Sequence, residues 1–305
     1  MTDPDVSLEG RVAVVTGAGA GLGRAEALAL AAAGARVVLN DLDADASHAV
    51  AEEIAKNGGE AAVQAGDIGA WETGEALVQT AVGTFGGLDV LVNNAGFTRD
   101  RMLFNMSEEE WDAVVRVHLK GHFVTSRLAV AHWRARSKET GAPVYARIVN
   151  TASEAFLLGS AGQPNYAAAK AGIAALTLST AQACGRYGVR ANAICPRART
   201  DMTAGVFGPA PEDGPDPLSV DHVTPLVTYL ASPAAQDVTG QVFVVYGGRV
   251  AVMAPPTVAH QVTAGDAAGG AEGWTAAALA AELGPKISTG TAGFTAAGAL
   301  AAAFE

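Results

Sequence analysis

Cysteine is nearly absent from this chain: Cys184 and Cys195 are the only two among 305 residues. They fall in a predicted helix and a predicted strand, which argues against both a disulfide framework and a metal site. Basic charge is scarce as well, with 20 Lys and Arg against 31 Asp and Glu and a net charge of −11. So acidic a chain is a poor candidate for nucleic acid or an anionic membrane, and leaves room only for a local basic patch facing a phosphate-bearing small molecule. No uncharged apolar run reaches the roughly 18 residues that span a bilayer. The opening MTDPDVSLEG has neither the basic start nor the apolar core of a secretion signal, so the expected location is the cytoplasm.

What is present is ample core material, 50% hydrophobic residues with 17% charged, in a length that suits one large α/β domain or two small ones. Strands are predicted at 12–15, 35–41, 60–67, 88–96, 146–153, 189–196 and 241–248, with alanine-rich helices between them. Buried β-branched strands alternating with helices imply an α/β fold, a doubly wound seven-stranded parallel sheet covered on both faces. Ser107 with Glu110 three residues on is a capping box opening a long helix, about 107–137. Gln163-Pro164 opens another, about 163–185. GPAPEDGPDP at 208–217 reads as a loop and a candidate lid. Beyond residue 250 the chain turns Ala/Gly-rich, which divides it into a domain over 1–250 and a C-terminal extension over 251–305. WTAAALAAELG and the last fifteen residues read as short helices there. The extension has too few large apolar residues for its own core and is expected to pack on the domain or on a neighbouring subunit.

Three stretches carry chemistry. VAVVTGAGAGLG sets Gly17, Gly21 and Gly23 after a strand and at the mouth of a helix, where bare backbone and unpaired N–H groups suit a pyrophosphate. Asp41 ends the second strand, 24 residues after Gly17, near where an acid grips the adenosine ribose. A carboxylate there repels a 2′-phosphate, and no Arg or Lys lies between Gly17 and Gly23 to attract one, so NAD is expected over NADP. Asp67, ending the third strand, is placed to meet the adenine edge or simply to serve as a turn residue. In SEAFLLGSAGQPNYAAAK, Tyr166 and Lys170 stand one helical turn apart, thirteen residues beyond Ser153. Taken alone, that pair describes an ordinary amphipathic helix with a snorkelling lysine.

TGAGAGLG, NNAG at 93–96, Ser153 and YAAAK at 166–170 occur in the order that makes residues 8–250 resemble a short-chain dehydrogenase/reductase. The resemblance implies Tyr166 as the proton donor or acceptor for the reacting oxygen. It implies Ser153 as a hydrogen-bond partner of that oxygen, and Lys170 as the group that binds the nicotinamide ribose and lowers the tyrosine pKa. It extends the NAD-binding set to Leu22, Ile68, Asn94, Ala95, Gly96, Pro196 and Thr200, beside Tyr166 and Lys170 themselves. A homodimer or homotetramer paired through helices 107–137 and 163–185 is expected.

Two departures narrow the branch. RVHLKGHF puts His118 where the family usually has asparagine, and CPRARTDMT carries a shorter, arginine-bearing loop after the sixth strand. Both resemble the (3R)-hydroxyacyl-CoA dehydrogenases of peroxisomal multifunctional enzymes and actinobacterial relatives acting on steroid side-chain CoA thioesters. His118 is expected to be mainly an architectural substitute. The expected reaction is NAD-dependent oxidation of a 3-hydroxyacyl-CoA. Arg99, Arg101, Arg197 and Arg199 are expected to border the crevice, where guanidinium groups suit CoA phosphates, although each taken singly reads more readily as a surface or loop-bracing residue. A 3-oxoacyl-carrier-protein reductase, a general hydroxysteroid or alcohol dehydrogenase, and a catalytically silent dinucleotide sensor remain the alternatives.

Overall fold

A computed structural model describes residues 5–203, 207–256, 258, 261–263 and 274–286. Eight strands form one sheet: β1 (Val12–Thr16), β2 (Arg36–Asn40), β3 (Ala61–Val63), β4 (Val90–Asn93), β5 (Ala146–Thr151), β6 (Val189–Pro196), β7 (Val242–Tyr246) and β8 (Arg249–Val252). Their spatial order is β3-β2-β1-β4-β5-β6-β7-β8. The first seven are parallel. The eighth, absent from the sequence-based expectation, pairs antiparallel with β7. Its cause is local: Gly247 and Gly248 take φ of 54° and 76°, the paired positive values of a two-residue hairpin turn.

The helices α1 (Gly21–Ala32), α2 (Ala44–Lys56), α3 (Trp71–Phe85), α4 (Glu108–Val115), α5 (Gly121–Thr140), α6 (Glu154–Leu158), α7 (Pro164–Cys184) and α8 (Thr224–Ala231) accompany the sheet. β1 shows why the strands read as unbroken apolar runs. Ala13 and Val15 join one core cluster with Leu30, Leu39 and Leu230, while Val12 and Val14 join the other with Leu77, Trp133 and Ile148. Both faces are covered, so both strand periodicities are apolar. Each Val or Leu so buried contributes about 1.5–3 kcal/mol.

Compact contacts divide the chain into Met1–Val252 and Met253–Glu305. In the second unit, α9 (Ala276–Leu283) lies within the expected WTAAALAAELG stretch, with Thr275 Oγ1 accepting from the Ala278 N–H at 3.1 Å. The helix expected over the last fifteen residues lies outside the described residues. Among the described residues, no helix is long and apolar enough to cross a membrane.

The expected 107–137 helix begins as foreseen, with Ser107 and Glu110 completing a reciprocal capping box, but it is not one α-helix. Residues Arg116–Lys120 form a π turn between α4 and α5. Single π turns inside helices recur at functional sites, and this one carries His118.

Candidate active site

The strand order reverses between β1 and β4, and a crevice opens there at the carboxyl ends of the strands. It is lined by Gly17, Gly21, Leu22, Asp41, Asp67 and Ile68 at one end. Asn94, Ala95, Gly96, His118, Tyr166, Lys170, Pro196 and Thr200 line the rest. Two expected site residues do not line it. Gly23 lies behind the loop, and Ser153 reaches the crevice through its hydrogen bond with Tyr166.

The first end is built from backbone. A Cβ on Gly23 would stand 2.1 Å from Gly17 O and 2.4 Å from Asn94 Nδ2, so only glycine lets α1 begin this close to the loop. Asn94 braces the same loop through Nδ2, at 3.1 Å from Thr16 O and 3.3 Å from Gly17 O. Thr16 Oγ1 accepts from the N–H groups of Asn94 and Ala95 at 3.0 and 3.1 Å. Asp41 Oδ2 accepts from Gly19 N–H at 3.0 Å. Arg24, the first basic residue after the loop, is held in an ion pair with Glu53. This cradle of close backbone and a carboxylate fits an adenine dinucleotide. Asp67 meets Arg116 of the π turn at 2.6 Å. Burial by itself would raise this carboxyl, but hydrogen bonds from Arg116 and Gly69 and the charge of Lys120 outweigh it, and its pKa lies below the ordinary value.

The second end is built from side chains, and its charges are buried. Pro164 opens α7, setting Tyr166 in its first turn and Lys170 one turn on. Asn165 fixes this start. Its Oδ1 accepts from Tyr166 N–H at 2.7 Å, and its Nδ2 donates to Arg99 O at 3.1 Å and to Glu110 O at 3.0 Å. Ser153 caps α6, a five-residue helix that the sequence reading missed, with Oγ accepting from Ala155 N–H at 3.2 Å. Lys170 is buried, donates to the main-chain carbonyl of Thr151, and lies 5.3 Å from the centre of the Tyr166 ring. Burial pushes its pKa down to about 7, with Cys195 acting the other way. Burial likewise pushes the Tyr166 phenol up to about 12, against the lowering effect of Ser153. The expected lowering of the tyrosine pKa is therefore not what these side chains alone produce, because desolvation outweighs the neighbouring groups.

His118 is buried with its ring edge-on to Tyr166, centroids 5.1 Å apart at 89°. Its Nε2 lies 2.7 Å from Phe97 O and 3.1 Å from Phe97 N. Two lone pairs would repel at the shorter distance, so Nε2 carries the proton and donates to the carbonyl. Nδ1 is left with no partner. Burial first, then the charge of Lys170, drives the ring pKa down to about 3, and it stays neutral. Gly96 is obligatory here, since a Cβ would lie 2.0 Å from His118 Cε1.

None of the four expected arginines lines the crevice, and three of them take the loop-bracing role. Arg197 binds Glu154 with two bonds of 2.5 and 2.8 Å, Arg199 binds Asp216 at 2.9 and 3.3 Å, and Arg101 binds Glu110 at 2.9 and 3.2 Å. These three forks are occupied by carboxylates of the chain itself, and they brace loops. Arg99 instead lies over the Phe97 ring at 4.7 Å. The sequence reading also passed over Thr16, Asn165 and His122. Only His122 had a visible signal, its place one turn beyond His118.

A Rossmann-type sheet with a Ser-Tyr-Lys set at its switch point defines a dehydrogenase, and comparison supplies the family. Residues 11–208 match the short chain dehydrogenase family, and the chain belongs to it; it is an oxidoreductase of the kind that uses a nicotinamide dinucleotide. It is 56% identical, over 86% of both chains, to the hydroxyacyl-CoA dehydrogenase ChsB1 of Mycobacterium tuberculosis. It is 41% identical over 79% of its length to the mouse peroxisomal multifunctional enzyme type 2, of which it spans 32%. A short chain dehydrogenase structure from Mycobacterium avium superposes with a TM-score of 0.79 at 48% identity, covering 92% of this chain and 94% of that one.

Proposed function

We propose that the protein oxidises the C3 hydroxyl of a 3-hydroxyacyl-CoA to the 3-oxo group, with NAD as acceptor, and that the acyl group is bulky, in the class of a steroid side chain. The observation that carries this reading is the 56% identity, over most of both chains, to a hydroxyacyl-CoA dehydrogenase. His118 in place of the family's asparagine, set against Gly96, supports it. NAD rather than NADP is favoured by the Asp41 carboxylate facing Gly19 and by the engagement of Arg24 with Glu53. The protein is further proposed to work in the cytoplasm as a homodimer or homotetramer.

The bound dinucleotide supplies the hydride acceptor. The chain supplies the proton chemistry. Ser153 hydrogen-bonds the reacting oxygen while remaining linked to Tyr166, and Tyr166 takes the hydroxyl proton. A phenol held near 12 gives up its own proton readily only beside a cation. The Lys170 ammonium is the buried cation at hand, one helical turn away, and its charge favours the phenolate that accepts the hydroxyl proton. Lys170, tied by one bond to Thr151 O, has further N–H donors for a ribose hydroxyl.

The test is kcat/KM for a 3-hydroxyacyl-CoA against the same 3-hydroxy acid without CoA, each with NAD and with NADP. The thioester and NAD should each win by at least tenfold. Equal values with and without CoA would leave a general alcohol dehydrogenase. Preference for NADP in the reductive direction would favour an oxoacyl reductase.

A further inference from the structure

Glu154 follows Ser153 directly, and its carboxylate holds Arg197 in a two-bonded fork. Arg197 Nε donates to Oε2 at 2.5 Å and Nη2 donates to Oε1 at 2.8 Å. The two side chains are only 25% and 13% exposed, so the pair is held more firmly than a bridge standing in open water. The Arg197 guanidinium also lies over the Tyr246 ring, 4.4 Å from its centre, a stacking that suits a cation on an aromatic face. Its root is fixed as well, since Arg197 N–H donates to Val245 O at 3.0 Å.

The fork stands where the sheet stops holding the chain that carries Ser153. The register of β5 with β6 ends at Thr151 and Ile194, and Ala152 N–H makes the next bond, to Ile194 O at 2.7 Å. Ser153 then leaves the sheet in extended conformation, φ −165° and ψ 149°, and opens the five-residue α6. A helix that short has little stability of its own, so an outside anchor matters there. β6 meanwhile runs on to Pro196, paired with Val245 of β7, and Arg197 comes next. Glu154 and Arg197 therefore carry the contact between the two strands one step beyond the ladder, through side chains. The residues beside them in sequence, Ala152, Pro196 and Ala198, line the crevice.

We propose that Glu154 and Arg197 are positioning residues of the dehydrogenase: their fork pins the turn that leaves β5 to the end of β6, and so holds the Ser153 hydroxyl in place for the reacting oxygen. Ser153 Oγ accepts from Ala155 N–H at 3.2 Å, which ties the hydroxyl to the backbone of that same turn. A shift of the turn is then a shift of the hydroxyl, and small misplacements of a reacting group are costly in rate. The proposal rests on the assignment of Ser153 to the reacting oxygen, not on the choice of thioester or dinucleotide.

The test is a double-mutant cycle in the full chain that combines Glu154→Ala with Ser153→Ala. The substrate is whichever 3-hydroxyacyl-CoA or simple secondary alcohol the wild type oxidises, so a failed substrate reading shows in the wild type alone. Glu154→Ala should lower kcat about tenfold, with KM for the dinucleotide within about twofold, and Arg197→Ala should match it. Once Ser153 is alanine, Glu154→Ala should cost less than about twofold more, because the hydroxyl it positions is gone. Glu154→Gln keeps an oxygen toward Arg197 at the same reach and should cost only about threefold; the same cycle runs on this variant if Glu154→Ala does not fold. A folded Glu154→Ala protein with wild-type kcat overturns the proposal. So does an equal loss in the presence and absence of the Ser153 hydroxyl, which would mark a general structural role. Ser153→Ala with wild-type kcat would overturn the site reading itself and the proposal with it, a result distinct from the other two.

Discussion

The two ends of one crevice are made from different materials. At the nucleotide end, recognition comes from main chain, where Gly23 lets α1 approach Gly17 and Asn94, and from the Asp41 carboxylate, which keeps an N–H partner. At the catalytic end, Tyr166, Lys170, His118 and His122 are taken out of water, and burial shifts every one of them away from its charged form. The contrast teaches where each kind of work is done. Binding a dinucleotide needs close approach and fixed dipoles, which cost little to present. Moving a proton needs a group near the balance between two charge states, and desolvation brings Lys170, at about 7, close to that balance while holding the others neutral. Glu26 is the exception at the first end: buried on α1 with neither oxygen partnered, it is held up at about 8 by desolvation.

The comparison can be broken most forcefully at Tyr166. Tyr166→Phe should lower kcat by about a thousandfold or more while leaving the melting temperature and dinucleotide affinity near wild type; a variant retaining most of its rate would move the proton chemistry elsewhere. Next, Gly23→Ala should weaken dinucleotide binding by roughly ten- to a hundredfold through the forced contact with Gly17 O, with a matching loss of stability. Calorimetric affinity unchanged from wild type would show that the loop yields. Asp41→Ala should narrow the NAD preference by about tenfold, through lost ribose hydrogen bonds and lost repulsion of a 2′-phosphate; parallel kcat/KM values for the two cofactors measure it.

The smallest effect is expected at Glu26 and depends on pH. Its folded pKa of about 8 lies above the ordinary 4.5, so the folded chain holds this proton more tightly than the unfolded one. Its contribution to stability is then whole below pH 4.5 and is lost as pH rises through 8. Glu26→Gln should accordingly raise the melting temperature by about 5 °C at pH 8.5 and by about 1 °C or less at pH 5. A gain of the same size at both pH values would mean that the carboxyl does not titrate in this range.

Much of this was legible in the chain. The strand–loop–helix at Gly17–Gly23, the carboxylate at Asp41, the capping box at Ser107 and the proline entry of α7 are local patterns set by neighbours in sequence, and they appear where expected. The hairpin strand β8 went unseen because its signal was two glycines at the end of a strand, followed by a tail of weak pattern. The arginines were open to two readings for a different reason. A basic residue near a crevice looks available to a ligand until its carboxylate partner is known, and Glu154 lies 43 residues from Arg197 while Asp216 lies 17 from Arg199.

By itself the sequence determined the layered α/β sheet, the crevice at its carboxyl edge and the identity of the groups that line it, since periodicity, glycine placement and helix caps act over a few residues. Tertiary structure alone decided the charge states. Tyr166, Lys170 and His118 are ordinary titratable residues until the sheet, the π turn and α7 close around them. The removal of water that then sets their pKa values belongs to the assembled interior and to no local stretch of chain.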